Sequence, residues 1–168
     1  VIVFCNSGDF FYKGALKKVM KLFEIHNYDF VFGTVLRNYK KGKILKHGFN
    51  FNRFIYNFDF ATSHSTGFFL RKNVQKKIGL YDLNFKCSSD YDMYFRLFRG
   101  NFKGGSTKKR DLIGNVASGG FSSSLSFFDH LIEESKIRLK NNQNFMFVFI
   151  IFINALIKKS VKILFPFL

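Results

Sequence analysis

The opening run Val1-Ile2-Val3-Phe4-Cys5-Asn6-Ser7-Gly8-Asp9, the stretch from Lys13 to His26, and Tyr28-Asp29-Phe30-Val31-Phe32-Gly33 together decide the fold class. Val1 to Cys5 is apolar and short, as a buried strand is. Asn6 to Asp9 reads as a turn, with Gly8 free to take a positive φ. From Lys13 to His26, Leu16, Val19, Met20 and Phe23 recur at helical spacing, while Lys17, Lys18, Lys21 and Glu24 cover the other face. Asp29 to Leu36 returns to strand character. Strand, helix, strand is the unit of an α/β sheet.

Downstream the pattern is more broken. Arg37 to Asp59 is polar and aromatic without clear period, and Lys40-Lys41-Gly42-Lys43 reads as a hairpin or loop tip. Thr66 to Leu70 predicts a strand, and Lys72 to Ile78 a short helix closed by Gly79. Asp90 to Arg99 predicts a helix with Tyr91, Tyr94, Phe95 and Phe98 facing inward and Gly100 ending it. Phe102 to Ser118 reads as strand and loop. Leu125 to Leu139 is amphipathic, with Phe128, Leu131, Ile132 and Leu139 as its stripe. Phe145 to Ile153 is wholly apolar, and Lys158-Lys159 interrupts the run that continues to Leu168. That is shorter than the roughly 20 apolar residues of a membrane span. A helix lying in the membrane interface fits better.

The chain has 168 residues, one domain's worth, with 47% hydrophobic and 20% aromatic residues, which excludes a mainly disordered protein. The formal net charge is +16, from 27 Lys and Arg against 11 Asp and Glu. Two sources of that charge stand open. One is an anionic partner: a nucleotide, nucleic acid or an acidic membrane surface. The other is a genome rich in A and T, whose codons favour Phe, Lys, Asn and Ile. No nucleic-acid motif is present and no aromatic–basic platform repeats, so nucleic acid is not expected. Cys5 and Cys87 have no zinc-like or CxxC spacing and are expected as free thiols in a reducing compartment.

Two acidic segments are candidates for chemistry. Asp9 follows a strand, where ligands of α/β sheets bind, and a carboxylate there suits a hard cation such as Mg²⁺ or Mn²⁺. Asp90 and Asp92 open a helix after Ser88 and Ser89. A carboxylate in a first turn complements the helix dipole, and it also serves as a general base when it reaches a hydroxyl.

The order of these parts resembles the family 2 inverting glycosyltransferases, especially those that build bacterial surface polysaccharides. It rests on Asn6-Ser7-Gly8-Asp9, Gly14-Ala15-Leu16, Ser63-His64-Ser65, Phe69-Leu70-Arg71-Lys72, Ile78-Gly79-Leu80-Tyr81-Asp82, Ser88-Ser89-Asp90-Tyr91-Asp92, Arg96-Leu97 and Gly119-Gly120-Phe121-Ser122. The resemblance covers residues 1–124. It implies an incomplete GT-A, Rossmann-like mixed sheet with flanking helices. Residues 125–144 then form an amphipathic helix and linker, and residues 145–168 a hydrophobic, membrane-interfacial segment.

The resemblance further implies a nucleotide-sugar donor and a divalent metal, Mg²⁺ or Mn²⁺, held by Asp9 with His64. Asn6, Ser7 and Gly8 lie at the nucleotide, and Asn6 and Gly8 stand where the family carries further carboxylates. Asp90 matches the catalytic base. Asp92, Gly119, Gly120 and Ser122 fall on the side of a glycan or lipid-linked acceptor, Asp92 also orienting its helix. The place of work implied is the cytoplasmic face of the membrane, as a peripheral protein. The family's N-terminal nucleotide-binding half has no counterpart in these residues. A longer parent chain is therefore expected, or an inactive remnant. The reading from another class is a basic membrane-surface or nucleic-acid-binding module without catalysis.

Overall fold

The computed structural model describes residues 1–39, 41–119 and 125–164, leaving aside the side chains of residues 162 and 163. It is a mixed α/β structure with two mixed four-stranded sheets and flanking helices. In chain order the elements are β1 (Ile2–Val3), β2 (Phe10–Phe11), α1 (Ala15–His26), β3 (Phe30–Phe32), β4 (Thr34–Tyr39), β5 (Gly42–Lys46), α2 (Phe51–Tyr56), a 3-10 turn (Ser65–Gly67), β6 (Phe68–Leu70), α3 (Lys72–Ile78), α4 (Ser89–Arg99), β7 (Gly104–Ser106), β8 (Leu112–Val116), α5 (Phe127–Lys140) and α6 (Phe145–Leu164).

The first sheet has the order β1-β6-β3-β7 and the second β2-β8-β4-β5. In the first, β6 lies antiparallel between β1 and β3, and β3 runs parallel to β7. In the second, β4 runs parallel to β8 and antiparallel to β5. The strand–helix–strand unit is present, but its two strands flank β6 and do not pair.

The expected single strand from Asp29 to Leu36 is two strands. The chain leaves the first sheet at Gly33 and enters the second. The Gly33 amide donates to the Gly67 carbonyl at 2.7 Å, and a Cβ at Gly33 would lie 2.7 Å from Ile113 Cγ1. No larger residue fits at the corner where the sheets separate. Arg37 to Asp59 is also more regular than its composition suggests. It holds the end of β4, its antiparallel pairing with β5 down to Tyr39 and Gly42, and the short helix α2, whose N-cap Asn50 side chain accepts from the Arg53 amide.

Period-2 alternation sorts the first sheet's residues between two apolar clusters. Phe30 and Phe32 of β3 with Phe68 and Leu70 of β6 join Phe54, Tyr91, Tyr94, Phe95 and Phe98. Val31 and Phe69 face the other way, against Ala15, Val19 and Phe23 of α1 and Ile113 of β8. The aromatic cluster packs ring on ring, with Phe54–Tyr91 at 4.5 Å and Phe32–Phe68 at 4.8 Å. Such pairs add roughly 0.5–1.5 kcal/mol each beyond their buried area.

Two helical stripes differ from expectation. On α1 the buried set is Ala15, Val19 and Phe23, while Leu16 and Met20 are exposed. On α5 only Leu131 of the expected stripe is buried; Phe128, Ile132 and Leu139 are exposed, and Ile137 and Arg138 point inward. The core admits small Ala15 where α1 crosses the sheet, and it admits charged Arg138 because α2 offers that side chain carbonyls. Tyr91, Tyr94, Phe95 and Phe98 of α4 are buried as expected.

Candidate functional site

The carboxyl ends of β1, β4 and β8 open on one cleft of about 1350 Å³. Ligands of open α/β sheets bind at such ends. The lining includes Asn6, Ser7 and Asp9 from the turn after β1, Arg37 and Tyr39 from β4, and His64 and Ser65 beside the 3-10 turn. Tyr81, Lys86, Cys87, Ser89 and Asp90 come from the segment leading into α4, and Ser118 and Gly119 follow β8. Six of the residues singled out from the sequence therefore meet: Asn6, Ser7, Asp9, His64, Asp90 and Gly119. Gly8 supports the turn from behind: its φ is 84°, and a Cβ there would sit 3.2 Å from Ala117 Cβ. Gly120 and Ser122 lie outside the described residues.

Asp92 is placed elsewhere. It is fully buried, pairs with Arg96 at 2.8 Å and accepts from Asn141 Nδ2 at 3.0 Å. Arg96 carries the tie onward to the Ile78 carbonyl and, at 2.8 Å, to that of Leu80. Asp92 thus orients α4 against α5 and the end of α3, and it is not part of the cleft lining.

Asp90 sits on the first turn of its own helix, where its Oδ1 accepts the Tyr91 amide at 2.8 Å. Burial pushes its carboxyl up to about 6; the Tyr91 and Asp90 amides, then the charges of His130 and Arg37, hold it from rising further. A carboxylate so tuned stays mostly ionised at neutral pH while becoming a stronger base.

The loop before Asp90 is fixed by a residue the sequence did not single out. Glu133 of α5 accepts the amides of Lys86, Cys87 and Ser88 at 2.8, 3.1 and 3.0 Å. It also accepts the Cys87 thiol at 2.9 Å. Burial alone would raise Glu133, yet the thiol and the three amides bring it below its ordinary range. Burial, then the same contact, pushes the Cys87 thiol up to about 11, so it stays protonated, and both cysteines are free thiols.

Asp9 and His64 are both committed to neighbouring protein groups. Asp9 Oδ1 accepts the Ala117 amide at 2.8 Å, and Oδ2 accepts the Thr66 hydroxyl. His64 Nδ1 accepts the Thr66 amide at 3.3 Å. An amide can only donate, so the ring proton is on Nε2, which is then a donor and no metal ligand. Burial, then the charge of Arg37, pushes His64 down to about 4, with Asp9 partly offsetting them. Mg²⁺ keeps several waters and is usually held by one or two carboxylates together with substrate phosphates. Here both oxygens of the one carboxylate at that end are engaged by Ala117 and Thr66, the imidazole is a donor and a guanidinium lies near, so the turn offers a cation no uncommitted carboxylate oxygen. Among the described residues no group of three or more His, Cys, Asp or Glu could hold a metal ion.

Other cleft residues missed from the sequence are Arg37, Lys41, Tyr81 and Lys86. Arg37 lies in the segment read as aperiodic, and the structure places it on β4. Comparison of the chain with protein-family models, with curated proteins and with solved structures finds no match.

Proposed function

We propose that this chain is part of an inverting glycosyltransferase of the GT-A kind. It would move a sugar from a nucleotide-sugar to a glycan or lipid-linked acceptor in the synthesis of a cell-surface polysaccharide. The observation that carries this reading is that Asp90 and the Asn6–Asp9 turn, remote in sequence, face the same cleft at the carboxyl ends of the strands. Asp90 takes the proton of the acceptor hydroxyl as that oxygen bonds to the anomeric carbon. The bond from that carbon to the diphosphate oxygen breaks on the opposite face, and its electron pair leaves with the nucleoside diphosphate. Inversion follows. The loop clamp from Glu133 keeps Asp90 in place for this step, and proton transfer from a positioned base contributes roughly 10²–10⁴-fold.

The test is sugar transfer from a panel of nucleotide-sugars, read by mass spectrometry. It uses the chain together with any coding sequence that continues in frame upstream of Val1, with and without Asp90→Asn. Transfer lost in the variant supports the reading, and unchanged turnover removes the base assignment. Salt-sensitive RNA or DNA binding with no nucleotide-sugar binding would favour the basic-module alternative.

Attachment to the membrane surface belongs to the same proposal. α6 buries Val148 and Ile151 against the domain and leaves Phe145, Met146, Phe149, Ile150, Ile153 and Ile157 exposed. Among the described residues no helix is long and apolar enough to cross a membrane. An exposed apolar face next to Lys158 and Lys159, in a chain of net charge +16, suits an anionic lipid surface. Co-sedimentation with phosphatidylserine vesicles is expected, and Ile150→Glu with Ile153→Glu should abolish it. Unchanged sedimentation would remove the attachment.

A further inference from the structure

If the cleft takes a nucleoside diphosphate, as proposed above, something must neutralise the phosphates, and the expected metal ligands do not supply it. Asp9 is turned onto Thr66 and Ala117, and His64 presents an N–H. The same lining carries three cationic side chains, Arg37, Lys41 and Lys86, against two carboxylates, Asp9 and Asp90. Among the described residues none of the three cations forms an ion pair; the pairs present use Lys18, Arg53, Arg96 and Lys140. Arg37 is half-buried on β4, with its guanidinium 5.1 Å from the centre of the Tyr39 ring. It lines the same cleft as His64 and Asp90, and its charge is felt by both. A planar guanidinium offers a fork of donors that matches phosphate oxygens in pairs.

We propose that the cleft binds the diphosphate of its nucleotide ligand without a divalent cation, through Arg37, Lys41 and Lys86, with His64 Nε2–H as a further donor. In the transfer step the electron pair of the breaking carbon–oxygen bond arrives on the diphosphate. Fixed cations aimed there stabilise the charge as it develops. Asp9 then acts as a positioning residue: it holds the 3-10 turn, and with it His64, against the end of β8.

The test is calorimetric titration of the 168-residue chain with inorganic pyrophosphate in EDTA, repeated with Mg²⁺ or Mn²⁺ in place of the chelator. Binding in EDTA is expected, weakened at least about tenfold by Arg37→Gln and by Lys86→Gln, each a loss of one charge-assisted contact. Lys86 is exposed, so its variant keeps the test open if Arg37→Gln fails to fold. Binding that appears only with the metal, or that ignores both substitutions, overturns the inference. Sugar transfer abolished by EDTA and restored by Mn²⁺ also overturns it while leaving the glycosyltransferase reading intact. Pyrophosphate bound in EDTA through Arg37, with no nucleotide-sugar consumed, upholds the anion site and removes that reading.

Discussion

Asp9 Oδ1 accepts the backbone amide of Ala117 at 2.8 Å, so a single carboxylate joins the turn after β1 to the end of β8. Its other oxygen takes the Thr66 hydroxyl, which adds the 3-10 turn to the same brace. Three segments of the cleft wall are therefore fixed by one side chain.

Asp9→Ala should cost about 1–3 kcal/mol, because it leaves a part-buried amide and a hydroxyl without their acceptor. Asp9→Asn should cost less, since an amide oxygen still accepts the Ala117 N–H. Urea denaturation of the two variants measures the difference.

Asp90 should show opposite effects on activity and stability. Its folded carboxyl is raised to about 6 from an ordinary 3.8. A raised carboxyl favours folding fully only below the ordinary value, and that contribution is lost as pH rises through about 6. Asp90→Asn should therefore melt at a higher temperature than the parent at neutral pH and at about the same temperature below pH about 4, while transfer is lost. In the parent, the rate should fall as pH drops through about 6. Calorimetric melts and a pH–rate profile check both halves.

Glu133 has the reverse sign. Its pKa is lowered in the folded chain, so its contribution is present above the unfolded value and is lost as pH falls through the folded one. Glu133→Gln should release the Lys86–Ser88 loop and lower kcat more than it raises KM for the donor. Faster amide exchange at Lys86, Cys87 and Ser88 distinguishes this loop effect from general destabilisation.

Asp92→Asn should act on stability and not on acceptor affinity. It leaves the Arg96 guanidinium beside a neutral side chain in a buried site, and breaking such pairs costs roughly 3–5 kcal/mol. Thermal unfolding should shift down while acceptor KM holds.

Arg138 should be similarly costly to replace. It is buried, donates to the carbonyls of Phe54, Ile55 and Asn57 and to the Tyr91 hydroxyl, and lies over the Phe58 ring at 4.7 Å. Arg138→Lys keeps the charge but loses the fork, so a large part of the roughly 3–5 kcal/mol expected for a broken buried site should appear even there. Chemical denaturation gives the value.

Local features were legible in the sequence wherever one segment determines its own shape. The turn at Gly8 takes the expected positive φ, the helix over Lys72 to Ile78 ends at Gly79 as expected, and the aromatic face of Asp90 to Arg99 is buried. β4 and β5 pair antiparallel down to Tyr39 and Gly42, where Lys40 to Lys43 suggested a tip. The split at Gly33 was not legible, because the contacts that require glycine at that corner, with Ile113 and Gly67, come from residues far away in sequence. Nor was the inward turn of Arg138, because the carbonyls that make a buried guanidinium tolerable belong to α2.

The sequence by itself determined the mixed α/β character and the two acidic segments, because hydrophobic period, turn residues and helix ends are set by near neighbours. Only the tertiary structure decided what those carboxylates do. A carboxylate's chemistry depends on which donors and charges surround it, and those arrive from distant strands and helices. Asp90 meets a buried helix start facing the cleft, Asp92 meets Arg96 and Asn141 in the interior, and Asp9 meets Thr66 and Ala117 beside a row of cations.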